Sequence, residues 1–283
     1  MATVITTTFE LRGADGGPLR GDARAAEGGR GRPAVVICHG FKGFKDWGFF
    51  PHLADRLAKA GFTAVSFNFS GSGVGPDGQS FSEPERFGHA TFSNDLTDIQ
   101  TVCDALLGGT LVEGLAVPTK LGLFGHSRGG GMAVIHTGGA SRVEALVTWA
   151  AIGRTHRWPE ATIAEWRRDG KIDIVNARTG DVLPLYTDLL DDIDAHGSER
   201  LDLIAAAGSV GVPWLILHGE ADETVPIAEA EALRDAAGGP DVVLRVVSGG
   251  THTMGSKHPW AGLTPELKLA MGETVAWFSR YLI

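Results

Sequence analysis

The chain has 283 residues, of which 43% are hydrophobic and 21% charged, the balance of a soluble protein large enough for one sizeable core plus a decoration. Its formal charge is -9 with no cluster of Lys and Arg, which argues against a nucleic acid partner, because a phosphate backbone needs a concentrated positive surface. No apolar run approaches the length that crosses a bilayer, and Met1 to Leu11 lacks the basic and apolar regions of a signal peptide. The expectation is a cytoplasmic protein with no membrane partner.

Thr3 to Arg12 alternates as an antiparallel strand does, Asp15-Gly16-Gly17 turns the chain, and a short second strand is expected over Leu19 to Arg24. Glu27 to Pro33 reads as a Gly/Arg-rich surface loop. Ala34 to Cys38 is apolar throughout and ends in His39-Gly40, as a central strand covered on both faces does. Leu53, Leu57 and Ala60 recur at helical spacing, Gly61 stands where a helix end takes a left-handed residue, and Phe62 to Phe67 resumes strand character. Asp95 to Leu107 predicts a helix stopped by Gly108-Gly109, Lys120 to Phe124 a third core strand, Arg128 to Thr137 a helix and Val143 to Trp149 a fourth strand. Cys38 in a buried strand and Cys103 in a helix read as reduced packing residues.

From about Arg154 to Ala207 the rhythm breaks, with Trp158, Trp166 and Tyr186 set among charges and only short helical patches. Strand character returns at Trp214 to Leu217, a helix covers Ile227 to Ala237, and Val242 to Val247 makes a last strand. Thr264-Pro265-Glu266 opens a closing helix, with an N-cap followed by Pro in the first turn. The alternation predicts an α/β fold, a mostly parallel doubly wound sheet in one domain over residues 1–283, with a short cap insertion at 154–207.

Gly125-His126-Ser127-Arg128-Gly129 matches G-x-S-x-G, whose small residues two positions either side of Ser permit a strained strand-to-helix turn. The preceding strand and the following helix supply that context, so Ser127 is the candidate nucleophile. An oxyanion needs two donors: the backbone N–H of Arg128 and that of Phe41, in the loop after the early core strand. Leu217-His218-Gly219-Glu220-Ala221-Asp222 places acids past a later strand; Asp222 is the candidate, with Glu220 and Glu223 the alternatives. His252 follows the final strand directly and is the candidate base, with His258 its rival.

The order Ser127, Asp222, His252 is that of the α/β-hydrolase fold. Through His39-Gly40-Phe41, Gly125-His126-Ser127-Arg128-Gly129, Leu217-His218-Gly219-Glu220-Ala221-Asp222 and Gly250-Thr251-His252, the sequence resembles the α/β-hydrolase superfamily, and within it the dienelactone-hydrolase-like and cinnamoyl/feruloyl-esterase-like branch. Dienelactone hydrolases carry Cys as nucleophile where this chain has Ser127. The resemblance implies a carboxylic ester hydrolase that takes a small-molecule acyl ester and uses no cofactor, with acyl transfer through Ser127. A thioesterase, amidase or peptidase would use the same residues, and a binding protein on this fold would need none of them.

An insertion leaving the fold after a strand end should lie over Ser127, with Trp158, Trp166 and Tyr186 lining the pocket and Phe44 beside it. Gly71-Ser72-Gly73-Val74-Gly75 is followed by Pro76 and no helix start, which argues against a dinucleotide cofactor. The other histidines show no metal-ligand spacing, so no metal is expected. A homodimer is left open.

Overall fold

A computed structural model describes residues 3–28, 31–139, 141–176 and 180–283; Gly29 and Arg30 of the expected surface loop lie outside the described residues. The chain opens with an antiparallel hairpin, β1 (Val4–Arg12) and β2 (Pro18–Ala26). There follow β3 (Ala34–Cys38), α1 (Phe50–Lys59), β4 (Thr63–Phe67), α2 (Pro84–Gly88), α3 (Phe92–Leu107), β5 (Leu121–His126), α4 (Arg128–Gly138) and β6 (Ala145–Trp149). After β6 come α5 (Glu160–Asp169), β7 (Lys171–Val175), β8 (Val182–Tyr186), α6 (Asp188–His196) and α7 (Leu203–Ser209). The chain closes with β9 (Trp214–Gly219), α8 (Ile227–Ala236), β10 (Val242–Val247) and α9 (Pro265–Leu282).

The main sheet has eight strands in the order β1-β2-β4-β3-β5-β6-β9-β10. β2 pairs antiparallel with β4, and every pair from β4 to β10 is parallel. Every residue of β3, β4, β5, β6 and β9 is buried, which is why these strands read as continuous apolar runs rather than as alternations. α1 and α9 cover one face over a core that includes Phe49, Phe124, Trp149 and Phe278. α3, α4 and α8 cover the other, over Val36, Val65, Leu123 and Trp214. Both cysteines are free and buried.

The segment after β6 is more ordered than its sequence suggests. Besides the short helices α5 and α6 it holds a separate two-stranded sheet, the hairpin β7–β8. In that hairpin Ile172, Ile174, Leu183 and Leu185 turn inward while Lys171, Asp173 and Val175 face solvent. Ala177, Arg178 and Thr179, within the expected insertion, lie outside the described residues. α7, placed in that insertion by the sequence reading, packs against α4 and α8 beside the main sheet.

Candidate active site

Ser127 occupies the turn between β5 and α4 with φ 55° and ψ -121°, a backbone conformation that costs an L-residue energy and persists only where its surroundings over-determine it. Three backbone hydrogen bonds do so: the Ser127 N–H donates to the Trp149 carbonyl at 2.9 Å, and the Ser127 carbonyl accepts from Gly131 at 3.0 Å and Ile152 at 3.2 Å. The flanking glycines are steric necessities. A Cβ on Gly125 would stand 2.4 Å from the Gly129 carbonyl oxygen, and one on Gly129 would stand 2.2 Å from that of His39. The helix is thus pressed against the end of β3, with Arg128 in its first turn, where amides lack intrahelical acceptors.

The loop after β3 runs directly beside Ser127. A Cβ on Gly40 would meet the Ser127 Cβ at 3.0 Å and the His126 Nδ1 at 3.2 Å, so glycine lets the loop pass this close to Ser127. Lys42 next to it adopts φ 56°, and Gly43 donates to the Gly40 carbonyl at 3.0 Å. His39 anchors the loop. Its Nε2 accepts from the Phe69 amide at 3.2 Å, which leaves Nδ1–H to donate to the Gly40 carbonyl at 2.9 Å. Burial pushes the His39 pKa down to about 4, so the ring stays neutral in this role.

Asp222 and His252 come together from different loops: Nδ1 of His252 donates to Oδ2 of Asp222 at 2.8 Å. The Asp222 side chain is fully buried. Its Oδ1 accepts from the amides of Thr224 at 2.8 Å and Val225 at 3.0 Å. Burial acts to raise its pKa, but the hydrogen bond and charge of His252 and the two amides outweigh it and hold the carboxyl below its ordinary value. His218, buried beneath this turn, donates from Nε2 to the Val225 carbonyl at 2.8 Å, with the same nitrogen 3.4 Å from Asp222 Oδ2. His126 holds His252 from the other side, its Nε2 donating to the His252 carbonyl at 2.9 Å. Burial first, and then the neighbouring His252, push the His126 pKa down to about 3.

Two cavities meet at Ser127. The larger, about 380 Å³, is lined by Phe41, Phe92, Ile152, Trp158, Ile174 and Val225 among others, with Arg157 and Thr224 at its wall. The smaller, about 240 Å³, contains His252 and is bounded by Phe41, Trp47, Phe50 and Asn176. Ile174 and Asn176 bring the β7–β8 hairpin to both cavities.

Of the aromatic residues expected at the pocket, the structure brings only Trp158 to Ser127. Trp166 is a correction: it is fully buried in the core, its ring edge-on to Trp158 at 5.3 Å, where its apolar area packs rather than faces a ligand. Tyr186 is also corrected, because its ring stacks on His89 at 4.5 Å and its hydroxyl bonds Glu85, over α2 and away from both cavities. Phe44 sits buried between Phe81 and His258 and lines neither cavity. Among the rivals, Glu220 is spent on the Ser248 hydroxyl and the Gly249 amide, and His258 accepts from the Gly48 amide at 3.2 Å beside Trp47.

The sequence reading missed Glu229, a buried carboxylate on α8, and the supporting imidazoles His39, His126 and His218. A histidine inside an apolar run, as at 126 and 218, was the available signal, since such a ring must find partners. The Arg128 side chain was missed too: Nε donates to the buried Asp95 at 2.6 Å, and the guanidinium lies 4.4 Å from the Phe92 ring centroid. Among the described residues no group of three or more His, Cys, Asp or Glu is placed to hold a metal ion, and no helix is long and apolar enough to cross a membrane.

A family model described as serine aminopeptidase, S33, matches residues 29–169, which includes Ser127 and stops short of Asp222 and His252. A monoacylglycerol lipase of Mycolicibacterium smegmatis is 23% identical over 276 residues, covering 89% of each chain. Among solved structures, Est1E of Butyrivibrio proteoclasticus with ferulic acid bound superposes with a TM-score of 0.69 at 20% identity, over 95% of this chain and 98% of that one. A dienelactone hydrolase of Anabaena variabilis gives 0.63 at 18% identity, over 100% and 99%. With its parallel sheet, its Ser127 turn between β5 and α4 and these neighbours over nearly its full length, the chain has the α/β-hydrolase fold.

Proposed function

We propose that the chain is a serine esterase that cleaves small-molecule acyl esters through an acyl-enzyme, with Ser127 as nucleophile, His252 as base and Asp222 as the acid that orients it. The observation that carries this reading is the 2.8 Å hydrogen bond from His252 to the buried Asp222, on the wall of the cavity that also contains Ser127. Because Nδ1–H is given to Asp222, Nε2 is the nitrogen left to accept a proton. His252 takes the Ser127 hydroxyl proton as Oγ attacks the ester carbonyl, and returns it to the leaving alkoxide. Water then repeats the sequence on the acyl-serine, releasing the carboxylic acid and regenerating Ser127. The Phe41 and Arg128 amides hold the oxyanion, each worth about 3 kcal/mol of barrier.

The proton's destination divides the two cavities. The leaving oxygen must face His252, so the smaller cavity takes the alcohol and the larger one takes the acyl group. With Trp158 and Ile174 lining the larger cavity, the described residues from Arg154 through α6 serve as a cap over the acyl side, while α7 packs with the main sheet. An aminopeptidase reading is disfavoured because such an enzyme needs an acid to hold the substrate ammonium, and no Asp or Glu lines either cavity among the described residues.

The test is Ser127→Ala against a nitrophenyl ester, with organophosphonate labelling of the wild type. Loss of turnover by at least a thousandfold and a single label mapping to Ser127 are expected. Unchanged turnover, or a label on another serine, overturns the assignment.

A further inference from the structure

The buried Glu229 on α8 gathers three parts of the molecule. Its Oε2 accepts the Gly153 amide at 2.7 Å, where the chain leaves β6 for the cap. Both carboxylate oxygens accept from Nη1 of Arg157, at 2.6 and 2.9 Å. The second arm of Arg157, Nη2, donates to the Thr224 carbonyl at 3.3 Å, and the amide of Thr224 in turn donates to Asp222 at 2.8 Å. Arg157, its neighbour Trp158 and Thr224 all line the larger cavity with Ser127. Arg154 adds a looser contact to Glu229 at 3.6 Å from the solvent side.

A planar guanidinium has two arms in fixed geometry, so it can bridge a carboxylate and a carbonyl at once, whereas an ammonium is a point charge on a flexible stem. The Glu229 carboxylate costs energy to bury unless it is paired, and here an amide and a guanidinium pair it. The result is a rigid tie between the cap's first residues and the turn that carries Asp222.

We infer that Arg157, locked by Glu229, is a positioning residue that sets the acyl-size preference of the site by fixing Trp158 as a wall of the larger cavity. Loosening the tie lets that wall move and changes which acyl groups fit. The inference rests on the esterase reading above.

The experiment compares kcat/KM for nitrophenyl acetate and nitrophenyl 3-phenylpropanoate, with melting temperatures, in the wild type, Arg157→Ala, Arg157→Lys, Glu229→Gln and the double variant Arg157→Ala/Glu229→Gln. The ratio of the two values should shift at least tenfold in Arg157→Ala and Glu229→Gln. The double variant should shift no further than the larger single, because one tie is broken either way. Arg157→Lys should recover most of the melting temperature by restoring the charge, yet keep the altered ratio because it lacks the arm to Thr224. If Arg157→Ala does not fold, the lysine variant carries the same test. Wild-type ratios in folded, active variants overturn the inference alone. A wild type that hydrolyses neither ester, or whose activity survives Ser127→Ala, overturns the esterase reading and this inference with it.

Discussion

At the scale of single residues, the site depends on positions where one atom more or one charge less is felt. Gly40→Ala puts a methyl 3.0 Å from the Ser127 Cβ and pushes the loop that carries Phe41, the proposed oxyanion donor, away from Ser127. We expect kcat to fall about a hundredfold, the cost of one lost oxyanion donor, with KM changed little, as steady-state kinetics would measure. Under the proposed mechanism, Asp222→Asn keeps the shape but cannot stabilise the imidazolium on His252, and a loss of about four orders of magnitude is expected. Glu220→Gln should stay within tenfold, because that carboxylate is exposed and serves Ser248 and Gly249. If the two variants exchange these outcomes, the acid has been misassigned.

Two tryptophans eight residues apart, Trp158 just before α5 and Trp166 within it, show what the elements contribute. Trp166 is fully enclosed on α5, so Trp166→Ala should cost about 3 to 5 kcal/mol of stability. Trp158, half-buried at the cavity before α5, should on truncation change acyl preference with a small loss of melting temperature. Chemical unfolding and a paired-ester assay separate the two. Periodicity alone does not distinguish these residues, because both are large, apolar and set among charges. What separates them is contact with a distant core, which a local pattern does not carry. The same limit hid the β7–β8 hairpin, whose side-chain alternation is legible only once the two five-residue runs are paired. Strands of the main sheet were easier to read. Ala34–Cys38 and Val242–Val247 appear with the boundaries their sequence suggests, since apolar runs flanked by Gly and charged loops leave little choice of register. Asp222 and His252 could be singled out because each follows a strand end, while Glu229, in the first turn of α8 and charged, looks like any solvated acid until Gly153 and Arg157 are placed around it.

For the molecule as a whole, buried ionisable groups set the response to pH. Burial holds His39 and His136 at about 4 and His126 at about 3, against 6.5 for the free side chain. Between those values the unfolded chain binds protons that the folded chain refuses, so stability is full above 6.5 and falls as the pH drops toward 4. The slope is up to about 1.4 kcal/mol per pH unit for each histidine. Asp95 acts in the opposite sense. Burial raises it from 3.8 to about 6, so its stabilising contribution is present below 3.8 and lost as pH rises through 6. Three histidines against Asp95, with Asp98 also raised by burial, leave a net loss on acidification. Thermal unfolding followed by tryptophan fluorescence should show the melting temperature declining from pH 6.5 to pH 4. His126→Asn should flatten that decline; an unchanged slope would remove His126 from the account.

The meeting of two cavities at one serine has a kinetic consequence. Under the proposed mechanism, the alcohol departs through the smaller cavity while the acyl group stays in the larger one, so the acyl-serine faces an emptied chamber beside His252. Whatever hydroxyl compound enters that chamber stands where water must stand, and is activated by the same imidazole. The acyl-enzyme is therefore a branch point: added short alcohols should be acylated in competition with water, with an ester-to-acid product ratio that rises in proportion to alcohol concentration.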